Sequence, residues 1–86
     1  MDMKTFISEL SDGEALFIDG FDNALLHPCH VWHGSSAVTV AAYSHNRLID
    51  ILCSRDGMSI EDAEEYISFN ILGAYMGTHT PVVLFD

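Results

Sequence analysis

The run Ala37-Val38-Thr39-Val40-Ala41-Ala42-Tyr43 passes without a linker into Ser44, and this junction constrains the fold more than any other feature of the chain. Its β-branched residues suit a pleated, half-buried surface, so the run reads as a strand. Ser44 is a preferred helix N-cap. Leu48, Ile51 and Leu52, with Ile49 at the edge, then recur on one side of a helical wheel, opposite Asn46, Asp50 and Ser54. A strand feeding directly into an amphipathic helix requires strands and helices to share one core.

The rest of the chain fills in around that pair. Lys4–Leu10 fits a short helix closed by the turn residues Ser11-Asp12-Gly13. Ala15-Leu16-Phe17-Ile18, bounded by Asp19-Gly20, reads as a short strand. Phe21–Leu26 fits one helical turn stopped before Pro28, and Cys29–Ser36 a loop or irregular edge strand. The helix from Ser44 is expected to end near Arg55, with Gly57 in the left-handed position after it. Ser59 and Asp62 form an approximate capping box for a helix from Ile60 to about Met76, terminated at Gly77. Pro81 enforces extended chain, and Val82-Val83-Leu84-Phe85 reads as a last strand. The expectation is a single α+β domain over residues 1–86, with two main helices packed on a two- or three-stranded sheet. At this size folding buries roughly 60–65% of the unfolded surface, enough for one core.

Charge is lopsided: thirteen Asp and Glu face three Lys and Arg, for a net charge of −10. Phosphate neutralisation needs clustered cations, so direct nucleic-acid binding is excluded as a function class. Six acids lie between Asp2 and Asp22 and five between Asp56 and Glu65, whereas none lies between Asn23 and Ile49. Self-repulsion at this charge weakens a small fold, and its physical return is steering toward a cationic protein. Glu61, Asp62, Glu64 and Glu65, with Asp12, Glu14, Asp19 and Asp22 as a second patch, are the candidate partner-binding residues.

The helix from Ile60 carries a second signal. Ile60, Ala63, Ile67, Ile71 and Ala74 form its core stripe. Opposite them, Glu61, Asp62 and Glu65 give way to Phe69, Leu72 and Met76 in the second half. A helix apolar on both sides must be covered on both. Either the N-terminal helix or the last strand covers Phe69, Leu72 and Met76, or they form a self-association (oligomer) interface or a partner-binding patch.

His27, Cys29, His30 and His33 are zinc-type ligands within seven residues, but four ligands so close do not readily make a tetrahedron. They are a weak metal candidate, with loop histidines the simpler reading. Ser35 or Ser36 with His33, or Cys29 with His30, lie in no nucleophile-elbow context, and no glycine-rich phosphate loop is present. The expectation is no enzyme and no cofactor. No stretch approaches a membrane span, residues 1–9 hold no apolar run of signal-peptide length, and two cysteines in such a chain are expected to be reduced thiols in the cytosol.

Asp56-Gly57-Met58-Ser59-Ile60-Glu61-Asp62-Ala63-Glu64-Glu65-Tyr66, followed by Phe69-Asn70, Gly73-Ala74-Tyr75, Gly77 and Thr80-Pro81, resembles the shared ending of a group of small phage- and prophage-encoded proteins. The match covers the last thirty or so residues, with a looser echo through Ala37–Asp50. The resemblance implies a viral protein acting in the host cytoplasm and carries over no catalytic or metal residues. By analogy with small acidic phage proteins, it implies an inhibitor of host nucleic-acid-handling machinery, of the anti-CRISPR or other anti-defence kind, able to mimic DNA. The partner would be a basic host protein such as a CRISPR-Cas or other defence complex. The alternative is a homodimeric structural or assembly module built on the Phe69/Leu72/Met76 face.

Overall fold

Strand and helix do meet at Ser44. In the computed structural model, which describes residues 2–86, strand β2 (Ser36–Ser44) ends on Ser44, and helix α2 (His45–Asp56) begins at the next residue. The Ser44 hydroxyl oxygen accepts the Arg47 amide at 3.1 Å, satisfying one of the orphan donors of the first turn. At the other end Gly57, with φ +68°, takes the left-handed cap and returns its amide to the Leu52 carbonyl.

β2 is the middle strand of three. Strand β1 (Leu25–His33) pairs with it antiparallel, and strand β3 (Val82–Leu84) pairs parallel on its other side. Successive side chains of a strand point to opposite faces, yet Val40, Ala41, Ala42 and Tyr43 are all fully buried. This half of β2 is therefore covered on both faces. The opposite end of the hairpin is open, with Trp32 74% exposed beside the turn.

Helix α1 (Met3–Leu10) packs on β1 and β2, and α2 packs on β2 and on helix α3 (Ile60–Ile67). Ile7, Ala41, Tyr43, Leu48, Leu52 and Ile67 are central members of the resulting core. The α+β class and the three-stranded sheet match the expectation from sequence.

Four local expectations need correction. Residues 15–18 are not a strand. They run extended but unpaired, with the Ile18 amide donating to the Tyr43 hydroxyl at 2.9 Å and the Leu16 amide to the His79 carbonyl at 3.4 Å. The expected turn at Phe21–Leu26 shrinks to a 3-10 turn over Asp22–Ala24, and Leu25 already belongs to β1. The Cys29–Ser36 segment is regular hairpin, turned by Gly34-Ser35 between the paired residues His33 and Ser36. Gly34, at φ +63°, supplies the positive dihedral such two-residue turns need, and Pro28 is tolerated because β1 is an edge. Finally, the helix from Ile60 does not reach Met76. α3 stops at Ile67 and widens into a π-helical turn over Ser68–Leu72, ending at Gly73 rather than Gly77. Ile60, assigned to the core stripe, is 66% exposed in the first turn, whereas Ala63 and Ile67 are buried as expected.

Candidate functional site

Along α3, residues three and four apart share a face. Asp62, Glu65, Tyr66 and Phe69 accordingly line one shallow groove, together with Met58 and Asn70. The start of this face is fixed by Ser59, whose hydroxyl accepts the Asp62 amide at 3.1 Å. Glu61 and Asp62 in the first turn sit at the positive end of the helix, where a carboxylate gains about 0.3–1 kcal/mol.

The π turn redirects the chain beyond Ile67. The Gly73 amide reaches back five residues to the Ser68 carbonyl at 3.0 Å, and the Asn70 side-chain amide donates to the Tyr66 carbonyl at 3.2 Å. A Cβ on Gly73 would stand 3.1 Å from the Phe69 carbonyl oxygen and 3.2 Å from that of Ser68, so the turn is closed around a bare backbone. Past this turn, Asn70, Ile71, Ala74 and Met76 meet Phe17, Ile18 and Asp19 across a cleft of about 190 Å³, with Pro81 at its margin. Asn70 lines both the groove and the cleft. The fold thus brings Asp19, from one expected acidic patch, to the same neighbourhood as Asp62 and Glu65 from the other.

The segment that delivers Asp19 is tied down on both sides. Its predecessor Ile18 is held by the Tyr43 hydroxyl, and the carbonyl of its successor Gly20 accepts from the Arg55 guanidinium at 2.6 Å. That guanidinium also lies 4.8 Å from the Phe21 ring centroid and grips Asp56 through two hydrogen bonds of 3.0 and 3.1 Å. The pairing raises the Arg55 pKa and holds the Asp56 carboxyl below the ordinary carboxylate range. Burial pushes the Tyr43 phenol up, keeping it protonated.

Few acids are neutralised. Lys4 meets Asp22 at 3.5 Å, Arg55 meets Asp56, His45 approaches Glu64 at 3.7 Å and His79 approaches Glu14 at 3.3 Å. Among the described residues two of the thirteen acids thus pair with a Lys or Arg and two approach a histidine, and the nine with neither include Asp19, Asp62 and Glu65.

The other sequence candidates lie elsewhere. Asp12 borders a shallow groove along α1 with Lys4 and Glu9, and Asp22 borders one with Asn23 and Arg55. Glu61 stands one turn before Glu65, and Glu64 turns toward His45. Phe69 is 74% exposed, and Leu72 and Met76 are each 48% exposed, so neither α1 nor β3 covers them as a closed second layer. Phe69 shares its groove with Asp62 and Glu65, and Met76 its cleft with Asp19. The helical wheel already set Asp62, Glu65 and Phe69 on one outer face, whereas the sequence assigned Asp19 to a separate patch. The contribution of Asn70 and of the loop at 17–19 was missed because the π turn and the packing of Ile18 on Tyr43 leave no mark in residue spacing.

β1 splits the histidine group. Strand alternation sets His30 on the face opposite Cys29, and the His30 ring is engaged by the Thr39 hydroxyl at 3.1 Å. The Cys29 thiol is free and its nearest partner is the His30 carbonyl, not the ring; Cys53 is free as well. Among the described residues no three His, Cys, Asp or Glu side chains are placed to hold a metal ion, and no helix is long and apolar enough to cross a membrane. No family model, curated protein or solved structure matches the chain.

Proposed function

We propose that this chain is a non-enzymatic protein-binding module, an acidic inhibitor that captures a basic host protein through the face around Asn70. The observation that carries the reading is the interleaving of Phe69 and Met76 with the unneutralised carboxylates Asp62, Glu65 and Asp19. Exposed aromatic and Met side chains supply the apolar centre typical of a protein interface, and the carboxylates around them select the sign of the partner.

The same interleaving argues against a homodimer on this face. A two-fold interface sets the same patch against itself. It would bring Asp62 and Glu65 of one copy toward those of the other, while the nearby Arg55 guanidinium is already engaged by Asp56 and the Gly20 carbonyl. A cationic partner meets no such penalty. A nucleic-acid-binding complex of host defence, in the host cytoplasm, is the partner class that the phage-like C-terminal sequence suggests. Occupation of its nucleic-acid site by this anionic face is how inhibition would arise. Phosphate mimicry alone would not require Phe69 at its centre, so the contact is a protein interface steered by charge.

The test is affinity capture from a bacterial lysate at low and high salt, followed by competition of the captured protein with DNA or RNA. The expected result is a basic protein retained at low salt, released as salt screens the contact, and displaced by nucleic acid. Retention indifferent to salt, or of acidic proteins only, overturns the reading.

A further inference from the structure

The cleft on the Asp19 side of Asn70 has a chemistry that general acidity does not explain. Its lining is mostly apolar, with Phe17, Ile18, Ile71, Ala74 and Met76 beside Pro81, and its polar residues are Asp19 and Asn70. At about 190 Å³ it falls below the roughly 300–1,000 Å³ of sites that hold a whole small molecule, a size that suits one long side chain. The Asp19 carboxylate makes no hydrogen bond or ion pair with any described residue. Asn70 donates one of its two side-chain N–H groups to the Tyr66 carbonyl, and its side-chain oxygen stays available as an acceptor. The cleft therefore offers apolar walls with an unpaired carboxylate and an amide oxygen beside them, and no cationic side chain lines it; a ligand that fits best brings a cation and a hydrocarbon stem.

An arginine side chain has that composition. Its methylenes pack along apolar surface while five N–H groups in a planar fork can serve two acceptors at once. A lysine ammonium brings the charge as a point rather than a fork. The acceptor is also held ready. Ile18 and Gly20, on either side of Asp19, are both pinned by side chains from the core elements, and Gly20 keeps a φ of +84° that a side chain would strain. A fixed loop does not lose conformational freedom when the ligand arrives.

We propose that this cleft is a socket for an arginine side chain of a protein partner. The proposal rests on reading the surface around Asn70 as a protein-binding face, and it names the group that anchors the partner there. The test is a titration of the ¹⁵N-labelled full chain with Nα-acetyl-arginine amide, Nα-acetyl-lysine amide and Nα-acetyl-norleucine amide, followed by amide chemical shifts. Saturable shifts centred on Ile18, Asp19, Asn70 and Ile71 are expected, with arginine half-saturating at several-fold lower concentration than lysine. Norleucine should produce none of comparable size. Asp19→Asn should weaken the arginine response about tenfold, the loss expected for one charge-assisted hydrogen bond. Glu61→Gln, equal in charge and outside the cleft, should leave it unchanged. Shifts spread over all the acids, equal effects of the two variants, or no saturable shifts overturn the socket. A salt-sensitive basic partner captured by a protein whose cleft ignores arginine would sink the socket alone. A cleft that takes arginine in a protein that captures no basic partner would sink the inhibitor reading alone.

Discussion

The Ser44 hydroxyl donates to the Asp86 carboxylate at 2.6 Å across 42 residues of chain, while the same hydroxyl oxygen accepts the Arg47 amide. The second Asp86 oxygen accepts the Asn46 amide at 3.1 Å, and the Asn46 side-chain amide donates to the Asp86 carbonyl at 2.8 Å. Asp86 thereby extends the cap of α2 and fastens the residues after β3 to the strand–helix junction. These bonds, led by the Ser44 hydroxyl, hold the Asp86 carboxyl below its ordinary value of 3.8.

A carboxylate whose folded pKa is depressed adds stability that is present above its unfolded pKa and lost as pH falls through the folded one. Asp86→Asn should lower the melting temperature at neutral pH. The gap from wild type should close as the pH drops through and below 3.8. Thermal melts of both proteins between pH 7 and pH 2 check this; a gap independent of pH would show that the carboxylate charge is not what matters.

Tyr43→Phe removes the acceptor for the Ile18 amide within an otherwise buried contact. An unpaired donor there should cost about 1–3 kcal/mol in urea unfolding. Hydrogen exchange at Ile18 should accelerate beyond the global loss, because the bond that positions Asp19 is the one removed. Uniform exchange across the chain would contradict that local role.

Gly73→Ala places a methyl against two carbonyl oxygens of the π turn. It should destabilise the protein by about 0.5–3 kcal/mol. Shifts should concentrate at Phe69–Leu72 rather than in β2. Stability and spectrum like those of wild type would show that the π turn relaxes freely into α-helix.

The exposed Phe69 bears on association. If its face meets a different, cationic protein, the free chain should remain monomeric by light scattering, and Phe69→Ser should leave the mass unchanged while weakening partner capture. A dimer dissociated by Phe69→Ser would favour the assembly module instead.

Much of the fold is legible because its decisive signals are local. Ser44, Gly57 and Ser59 mark helix ends through chemistry that acts within four residues, and Ala37–Tyr43 announces the central strand by composition. The Gly34-Ser35 turn was readable too, since a glycine followed by a small polar residue between paired runs is a hairpin signal; Pro28 obscured the strand before it. The failures are non-local. Residues 15–18 have strand composition, but β1 and β3 occupy the two sides of β2, and Ile18 bonds to a Tyr43 side chain instead. The α3 wheel is right for Ala63 and Ile67, fails at Ile60 in the exposed first turn, and loses meaning at Ser68 where the turn widens. The candidate face inherits that failure: Asp62, Glu65 and Phe69 were readable as one side of a helix, but the arrival of Asp19 beside Asn70 was not.

The central claim is that a particular face, and not net charge, captures a basic protein. It is tested most directly by two double variants with the same change in charge, measured for affinity to the captured partner. Asp62→Lys with Glu65→Lys alters the face; Glu9→Lys with Asp50→Lys alters exposed carboxylates outside it. The first pair should weaken binding by at least about a hundredfold, as expected for setting two cations against a cationic surface at several kcal/mol, and the second by far less. Equal losses from the two pairs would contradict the claim.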